Sequence, residues 1–439
     1  MKSAGNRPAG MRAFTVVWIG QIVSLLGTAM STFALTLWAY EITGKATPLA
    51  LIGFFFLLPV VVLGPFVGVL VDRGNRKLMM MVSDLAAAAV TLIVLTLLVS
   101  DKLQIWHLYV SAIISGVFQG FQWPAYSAAI SLMLPKEQYA RANGMLGMAS
   151  SGSQVVAPLL AGALIGPVGL LGILFMDLAS AAVAVGALLF VHIPQPARTE
   201  AGREGEGSFL HEAVYGFRYI FARPSLLGLQ TVFLVGNLFG SLAWAIFPAM
   251  ILGRTGNDAL ILGSVESAGA VGGVIGGLVM SAWGGPKRRV HGVLLGWFFA
   301  GLLGDLVLGL GQTLPVWVAG AFLGAFFVPI LDGCNQAIWQ AKVAPDVQGR
   351  VFTARQFIAW LVMPFGSLLA GPLADQVLEP AMSQGGSLMP VFGWLVGTST
   401  GAGMGLIFVV AGLMAALVGL AGYLFPLVRN VEEVLPDYD

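Results

Sequence analysis

Residues Gly64-Pro65-Phe66-Val67-Gly68-Val69-Leu70-Val71-Asp72-Arg73-Gly74-Asn75-Arg76-Lys77 end a long apolar run with one carboxylate and three basic side chains. Gly64 and Gly68 stand four apart, so on a helix they share a face that a neighbouring backbone can approach closely. Asp72 and Arg73 then sit where the helix leaves hydrocarbon, and Arg76 and Lys77 lie just beyond. A carboxylate at that place can meet the unpaired N–H groups at the start of another helix. A turn selected only for positive charge explains the basic residues, but not G-x-x-x-D-R-x-x-R-K as a whole.

The rest of the chain sets this run in a membrane. Of 439 residues, 57% are hydrophobic and 10% charged, and mean hydropathy is +0.87. Soluble domains run at about 45–50% apolar and 25% charged, so a soluble enzyme, a nucleic-acid binder and a disordered protein are all excluded. A net charge of +1 offers no basic field for phosphates. Cys334 stands alone, and no Cys/His cluster calls for a metal, so no cofactor is expected.

Crossing the hydrocarbon core takes about 20 apolar residues. Such runs lie at 14–40, 49–71, 78–99, 105–133, 144–166 and 168–191, then at 225–250, 260–283, 290–311, 315–341, 352–376 and 401–427. The turn at Gly166-Pro167 separates the fifth from the sixth. The first run is too long and too weakly flanked for a cleaved signal peptide. Apart from Lys45, Lys102 and Arg254, every basic residue falls in the N-terminus, the even-numbered loops or the C-terminus. The positive-inside rule therefore puts both termini in the cytoplasm.

Residues 192–224 interrupt the pattern. Pro194, Pro196 and the polar stretch Thr199 to Gly207 read as a flexible linker. Ser208 to Ala222 reads as an amphipathic helix on the inner membrane face, with Phe209, Val214, Phe217 and Phe221 opposite His211, Glu212 and Arg218. The expected organisation is a six-helix bundle over 1–191, a cytoplasmic linker over 192–224, and a second six-helix bundle with a short acidic tail over 225–439. Pro135 to Gln138 with Arg141 is echoed by Pro345 to Gln348 with Arg350 at the same topological address. Parallel repeats of this kind are a transporter plan, with the substrate between them near the midplane.

The loop motif resembles the signature of the major facilitator superfamily, across essentially all twelve spans. Within it the chain is similar to the branch of macrolide-efflux proteins and the enterobactin exporter. Gly20-Gln21-x-x-Ser24-x-x-Gly27, Thr43-Gly44, Ala142-Asn143 and Gly349-Arg350-Val351 carry that likeness. The resemblance implies an all-α fold of two pseudo-symmetric six-helix bundles that rock to give alternating access. It also implies a cytoplasmic gate built on Gly68, Asp72, Arg73, Arg76 and Lys77. The repeat of this signature keeps Gly276, Gly277 and Lys287-Arg288-Arg289 but has no Asp-Arg pair. In span five the antiporter glycines stand as Gly144, Ser153, Ala157, Pro158, Ala161 and Gly162, all small or kinking residues, which tilts the reading toward export.

Carboxylates inside the spans include Asp84, Asp177, Glu266, Asp305 and Asp332, and the basic residues are assigned to the loops. An acid in hydrocarbon is costly, and is a candidate to carry a proton. Asp84 reads as a structural partner of the cytoplasmic loops. The resemblance makes spans three, six, nine and twelve peripheral, which sets Asp177 and Asp305 aside and leaves Glu266 and Asp332 as candidates for proton coupling. Relatives carry an acid near the middle of span one, where this chain has Gly27-Thr28. Candidates for the substrate cavity are Gln21, Ser24, Gln119, Gln122, Trp123, Tyr126, Asn237, Trp244, Asn335 and Gln336, each of which has a helix-contact alternative.

The expected function is a proton-coupled antiporter in a bacterial plasma membrane that exports an amphipathic small molecule such as a drug, macrolide or siderophore. Its partners would be that substrate, protons and lipid, with no nucleic acid and no obligate protein partner. The alternatives are an importer of a small neutral solute and a polytopic membrane enzyme. Buried cations typical of anion importers are absent from the spans as read here, and His107, His192, His211 and His291 are too dispersed for catalysis.

Overall fold

The computed structural model describes residues 10–73, 75–134, 139–191, 193, 209–343 and 347–436. Every regular element among them is helical. Ten stretches are long and apolar enough to cross a membrane. One of these, Met145–Phe190, is bent where Gly169 takes a left-handed φ of 67°. The helix Ile105–Met133, 29 residues, is also long enough to cross. Taken as legs, these are the twelve crossings expected among the described residues, and the chain is an all-α multi-pass membrane protein. The bend between the fifth and sixth legs falls at Gly169, not at Gly166-Pro167, because Pro167 is tolerated within the helix while only the later glycine leaves helical geometry.

The chain divides into two compact units, Met1–Ala39 with Phe55–Glu204, and Tyr40–Phe54 with Gly205–Asp439. In the first unit run α1 (Gly10–Thr43), α2 (Ala46–Arg73), α3 (Arg76–Val99), α4 (Ile105–Met133) and α5 (Tyr139–Phe190), with the tip of α1 and α2 belonging to the second unit. Phe14, Met80, Ala129 and Leu188 are completely buried in its core. The Trp18 indole donates to the Met145 carbonyl at 2.8 Å and ties α1 to α5. Asn75 caps α3 by accepting from the Leu78 amide at 3.0 Å. Outward residues such as Leu92, Ile93, Phe175 and Phe190 are exposed and apolar, as lipid contact requires.

The second unit begins with α6 (Phe209–Phe221). Its buried side is Gly216, Tyr219 and Ile220, with Phe217 set edge-on to Phe357, whereas Val214 and Phe221 are exposed. Of the predicted apolar stripe, Phe217 thus packs on the protein while Val214 and Phe221 do not. Then come α7 (Pro224–Trp244), α8 (Phe247–Thr255), α9 (Ala259–Trp283) and α10 (Arg289–Phe299). A π-helical turn (Ala300–Asp305) leads into α11 (Leu306–Leu310) and α12 (Leu314–Lys342). The chain continues through α13 (Gln348–Trp360), α14 (Met363–Pro372), a second π turn (Leu373–Leu378) and α15 (Glu379–Met382). It closes with α16 (Met389–Val396), α17 (Ala402–Leu424), α18 (Pro426–Arg429) and α19 (Val431–Val434).

Charged residues lock both ends of this unit. Arg254, expected in an outer loop, stands in the last turn of α8. It donates to the carbonyls of Gly401 (3.2 Å), Gly309 (3.3 Å), Val396 (3.1 Å) and Gly311. Glu379 accepts from the amides of Gly401 (3.1 Å) and Met404 (2.9 Å) at the start of α17. At the other end the tail folds back. Glu432 accepts from the Arg289 and Val290 amides at 3.0 and 2.9 Å, capping α10, while the Lys342 ammonium donates to the carbonyls of Glu432 and Leu435. Charged side chains here satisfy helix ends that hydrocarbon cannot.

Candidate functional site

Within the second unit, α7, α10, the first π turn, α12 and α13 surround a cavity of about 940 Å³. Pockets that hold drug-sized molecules span roughly 300–1,000 Å³. Its wall is largely apolar and aromatic, with Phe233, Trp244, Trp297, Phe352 and Trp360. Polar groups converge on it from four helices, Gln230 and Asn237 on α7, Asn335 and Gln336 on α12, Gln356 on α13, and the carboxylates Asp305 and Asp332. Arg355 of α13 completes the lining.

Arg355 overturns the expectation of carboxylates without basic partners. It donates to Gln336 Oε1 at 2.8 Å and stands near enough to Asp332 for the two charges to act on each other. Its guanidinium also lies 5.3 Å from the Trp339 ring centroid and 5.4 Å from that of Phe352. The charge count assigns Arg355 to the loop before span eleven, although the run at 352–376 already includes it, and α13, which starts at Gln348, carries it inward. A cation able to receive an anionic group therefore lines the cavity.

Asp305 is the second correction. Expected on a peripheral span, it lines the cavity together with Trp244. It ends the π turn, and Gly304 lies directly against Gly324 of α12, so the two helices nearly touch at the backbone beside it. π turns often mark functional positions. Glu266 sits on α9, partly buried, and does not belong to this lining.

The cavity thus unites Asn237, Trp244, Asn335, Gln336 and Asp332 of the predicted set. Asn237 also donates to the Ala359 carbonyl at 3.0 Å, and Asn335 accepts from Trp339 Nε1 at 3.0 Å. The first-half candidates behave otherwise. Gln21 donates to Asp84 at 2.8 Å, and Gln122 donates to Asp84 at 2.6 Å and to Gln21 at 3.0 Å. Asp84, 2% exposed, thus joins α1, α3 and α4 rather than partnering the loops. Tyr126 is core, stacked 6.4 Å from Phe14, Ser24 is buried, and Gln119 is exposed. Asp177, on the second leg of α5, accepts from Thr28 at 3.1 Å and Thr91 at 2.7 Å. It supplies an acid beside the Gly27-Thr28 position of span one.

The side chains of Gly68, Asp72, Arg73, Trp123 and Gly144 lie outside the described residues, as do Pro135 to Gln138 and residues 344–346. Among the described residues, nothing lies within 4 Å of a Cβ placed on Gly64. Ser153, Ala157, Ala161 and Gly162 are buried, with Pro158 partly so. The repeat is visible at atomic level. Lys77 donates to the Val191 carbonyl at 2.6 Å and Arg288 to the Arg429 carbonyl at 3.0 Å. In each half a basic residue at the start of the third span holds the end of the sixth. The acid missing from the second signature comes from the tail, where Glu433 pairs with Arg288 at 3.3 Å beside the Glu432 cap.

Comparison with known proteins agrees with this architecture. The family model described as Major Facilitator Superfamily matches residues 17–367. Macrolide efflux protein A of Streptococcus pyogenes is 28% identical over 372 residues, spanning 83% of this chain and 90% of that protein. The multidrug efflux pump Tap of Mycolicibacterium fortuitum is 26% identical over 345 residues, 76% of this chain and 82% of the relative. Among solved structures, a bacterial homologue of the human lysosomal transporter Spinster, inward-facing and unoccupied, superposes with a TM-score of 0.69 at 15% identity. That match covers 94% of this chain and 98% of the other.

Proposed function

Because the chain belongs to the major facilitator superfamily, and is a transporter rather than an enzyme, we propose that it exports an amphipathic small molecule, a drug, macrolide or siderophore, in exchange for protons. The observation that carries this is the cavity of the second unit, where indole and phenyl surfaces flank a few convergent polar groups. Such a wall binds an apolar body by area and orients it by one or two hydrogen bonds, which suits varied amphipaths better than sugars. The two relatives named for efflux support the direction.

Movement follows alternating access in a bacterial plasma membrane with both termini in the cytoplasm. Proton handling falls to Asp332 together with Arg355, with Asp305 beside Trp244 as the carboxylate open to a cationic substrate group. Protonation of Asp332 would free Arg355 for an acceptor on the substrate, so that proton and drug exchange at one place. Glu266 remains a second candidate on α9. The test is resistance in an efflux-deficient host. Expression of the chain should raise the inhibitory concentration of a macrolide or a cationic dye, and Asp332→Asn should remove the gain. Growth on a sole carbon source conferred by the chain, without resistance, would point to import instead.

A further inference from the structure

The tip of the α1–α2 hairpin, Tyr40–Phe54, belongs to the compact unit formed with residues 205–439, while the remaining lengths of both helices belong to the other unit. One carboxylate holds it. The first amides of α2, those of Ala46 and Thr47, donate to Asp375 Oδ1 and Oδ2 at 2.9 and 2.7 Å, and Thr47 Oγ1 donates to Oδ2 at 2.5 Å. Asp375 lies in the second π turn, between α14 and α15. Packing closes around the same point. A Cβ on Gly371 would run into the Thr47 backbone and stand 3.1 Å from Ala50 Cβ. Tyr40 is 4% exposed and lies against Gly253. Three donors on one anion at a helix start is a charge-assisted cap, held by the helix's own dipole.

We propose that Asp375 is a latch on the outer side of the transporter, and that withdrawal of its carboxylate from the start of α2 is the step that frees the tip and opens that side. The loop signature assigns Asp72 the same chemistry at the opposite membrane face, so each side would close by an acid meeting a helix N-terminus. The proposal rests on the alternating-access reading above. It explains why a carboxylate that meets two backbone amides and a hydroxyl stands in span eleven.

The test uses the full chain in lipid nanodiscs, spin-labelled at Lys45→Cys and Gln384→Cys, both exposed positions, with the buried Cys334 left in place. Pulsed electron–electron distances should show one short population for the parent. Loss of an N-cap is worth a factor of about ten, so Asp375→Ala should raise the ratio of long to short distances roughly tenfold. Asp375→Asn, which keeps the shape and some hydrogen bonding, should fall between. If the alanine variant does not fold, the asparagine variant carries the test. Distributions identical in the parent and the folded variants overturn the latch. Dye transport by the parent separates the two ideas. A parent that transports while distances stay fixed refutes the latch alone, whereas shifted distances without transport refute the exporter reading and leave the latch standing.

Discussion

Replacing Arg355 by glutamine should leave Asp332 facing the cavity without its counter-charge. Breaking a fully buried pair costs about 3–5 kcal/mol, and an exposed pair about 0.2–1 kcal/mol. Arg355 is only partly buried and shares a cavity wall with Asp332, so the loss lies between these limits. Adding the 2.8 Å hydrogen bond to Gln336 gives roughly 2–3 kcal/mol. For a unit of this size each kcal/mol moves the midpoint by about 2–4 °C, so Arg355→Gln should lower it by roughly 5–10 °C. Asp332→Asn alone should cost less, because the guanidinium keeps Gln336 and the rings of Trp339 and Phe352. The double variant should be more stable than the sum of the single losses by about 1–2 kcal/mol. Tryptophan fluorescence during heating in detergent, on all four proteins, reads this coupling. Strictly additive losses would refute the pairing, and with it the coupled role of Asp332.

Other outcomes follow from the same contacts. Arg254→Gln abandons several backbone carbonyls at once and should lower the melting midpoint by more than Arg355→Gln, with substrate affinity unchanged in whatever folded fraction is recovered. Asp84→Asn cannot accept from Gln21 and Gln122 as an ionised carboxylate does, and should cost about 1–3 kcal/mol in a thermal assay without changing the KM for export. Glu432→Gln weakens the cap on α10 and should cost about 1 kcal/mol, measured the same way. Trp244→Ala removes an aromatic wall of the cavity, and should raise the KM for an aromatic cationic dye about tenfold while a Trp244→Phe variant recovers part of it.

Span number and the transporter class were legible because both rest on local facts, the length of apolar runs and the charge of short loops. The cavity was half legible. Asn237, Trp244, Asn335, Gln336 and Asp332 stood out as polar or amphipathic groups in apolar runs, and the structure gathers them. Arg355 was missed because a basic residue at the edge of a run counts toward topology. One signal pointed the other way, since the apolar run at 352–376 already takes in Arg355. Asp305 was missed because the resemblance makes span nine peripheral as a whole, whereas this residue, at the end of the π turn Ala300–Asp305, lines the cavity. Gln21 and Gln122 looked like ligand contacts because their partner, Asp84, lies 63 and 38 residues away in the chain. Helix periodicity within one span carries no information about such pairings.

The most direct test of proton-driven export is transport into or out of liposomes containing the purified chain under an imposed pH gradient. Accumulation of a macrolide or cationic dye should follow the sign of the gradient, collapse when a protonophore is added, and disappear in Asp332→Asn. Flux of the same size with and without the gradient, or flux that survives both the protonophore and Asp332→Asn, would contradict it.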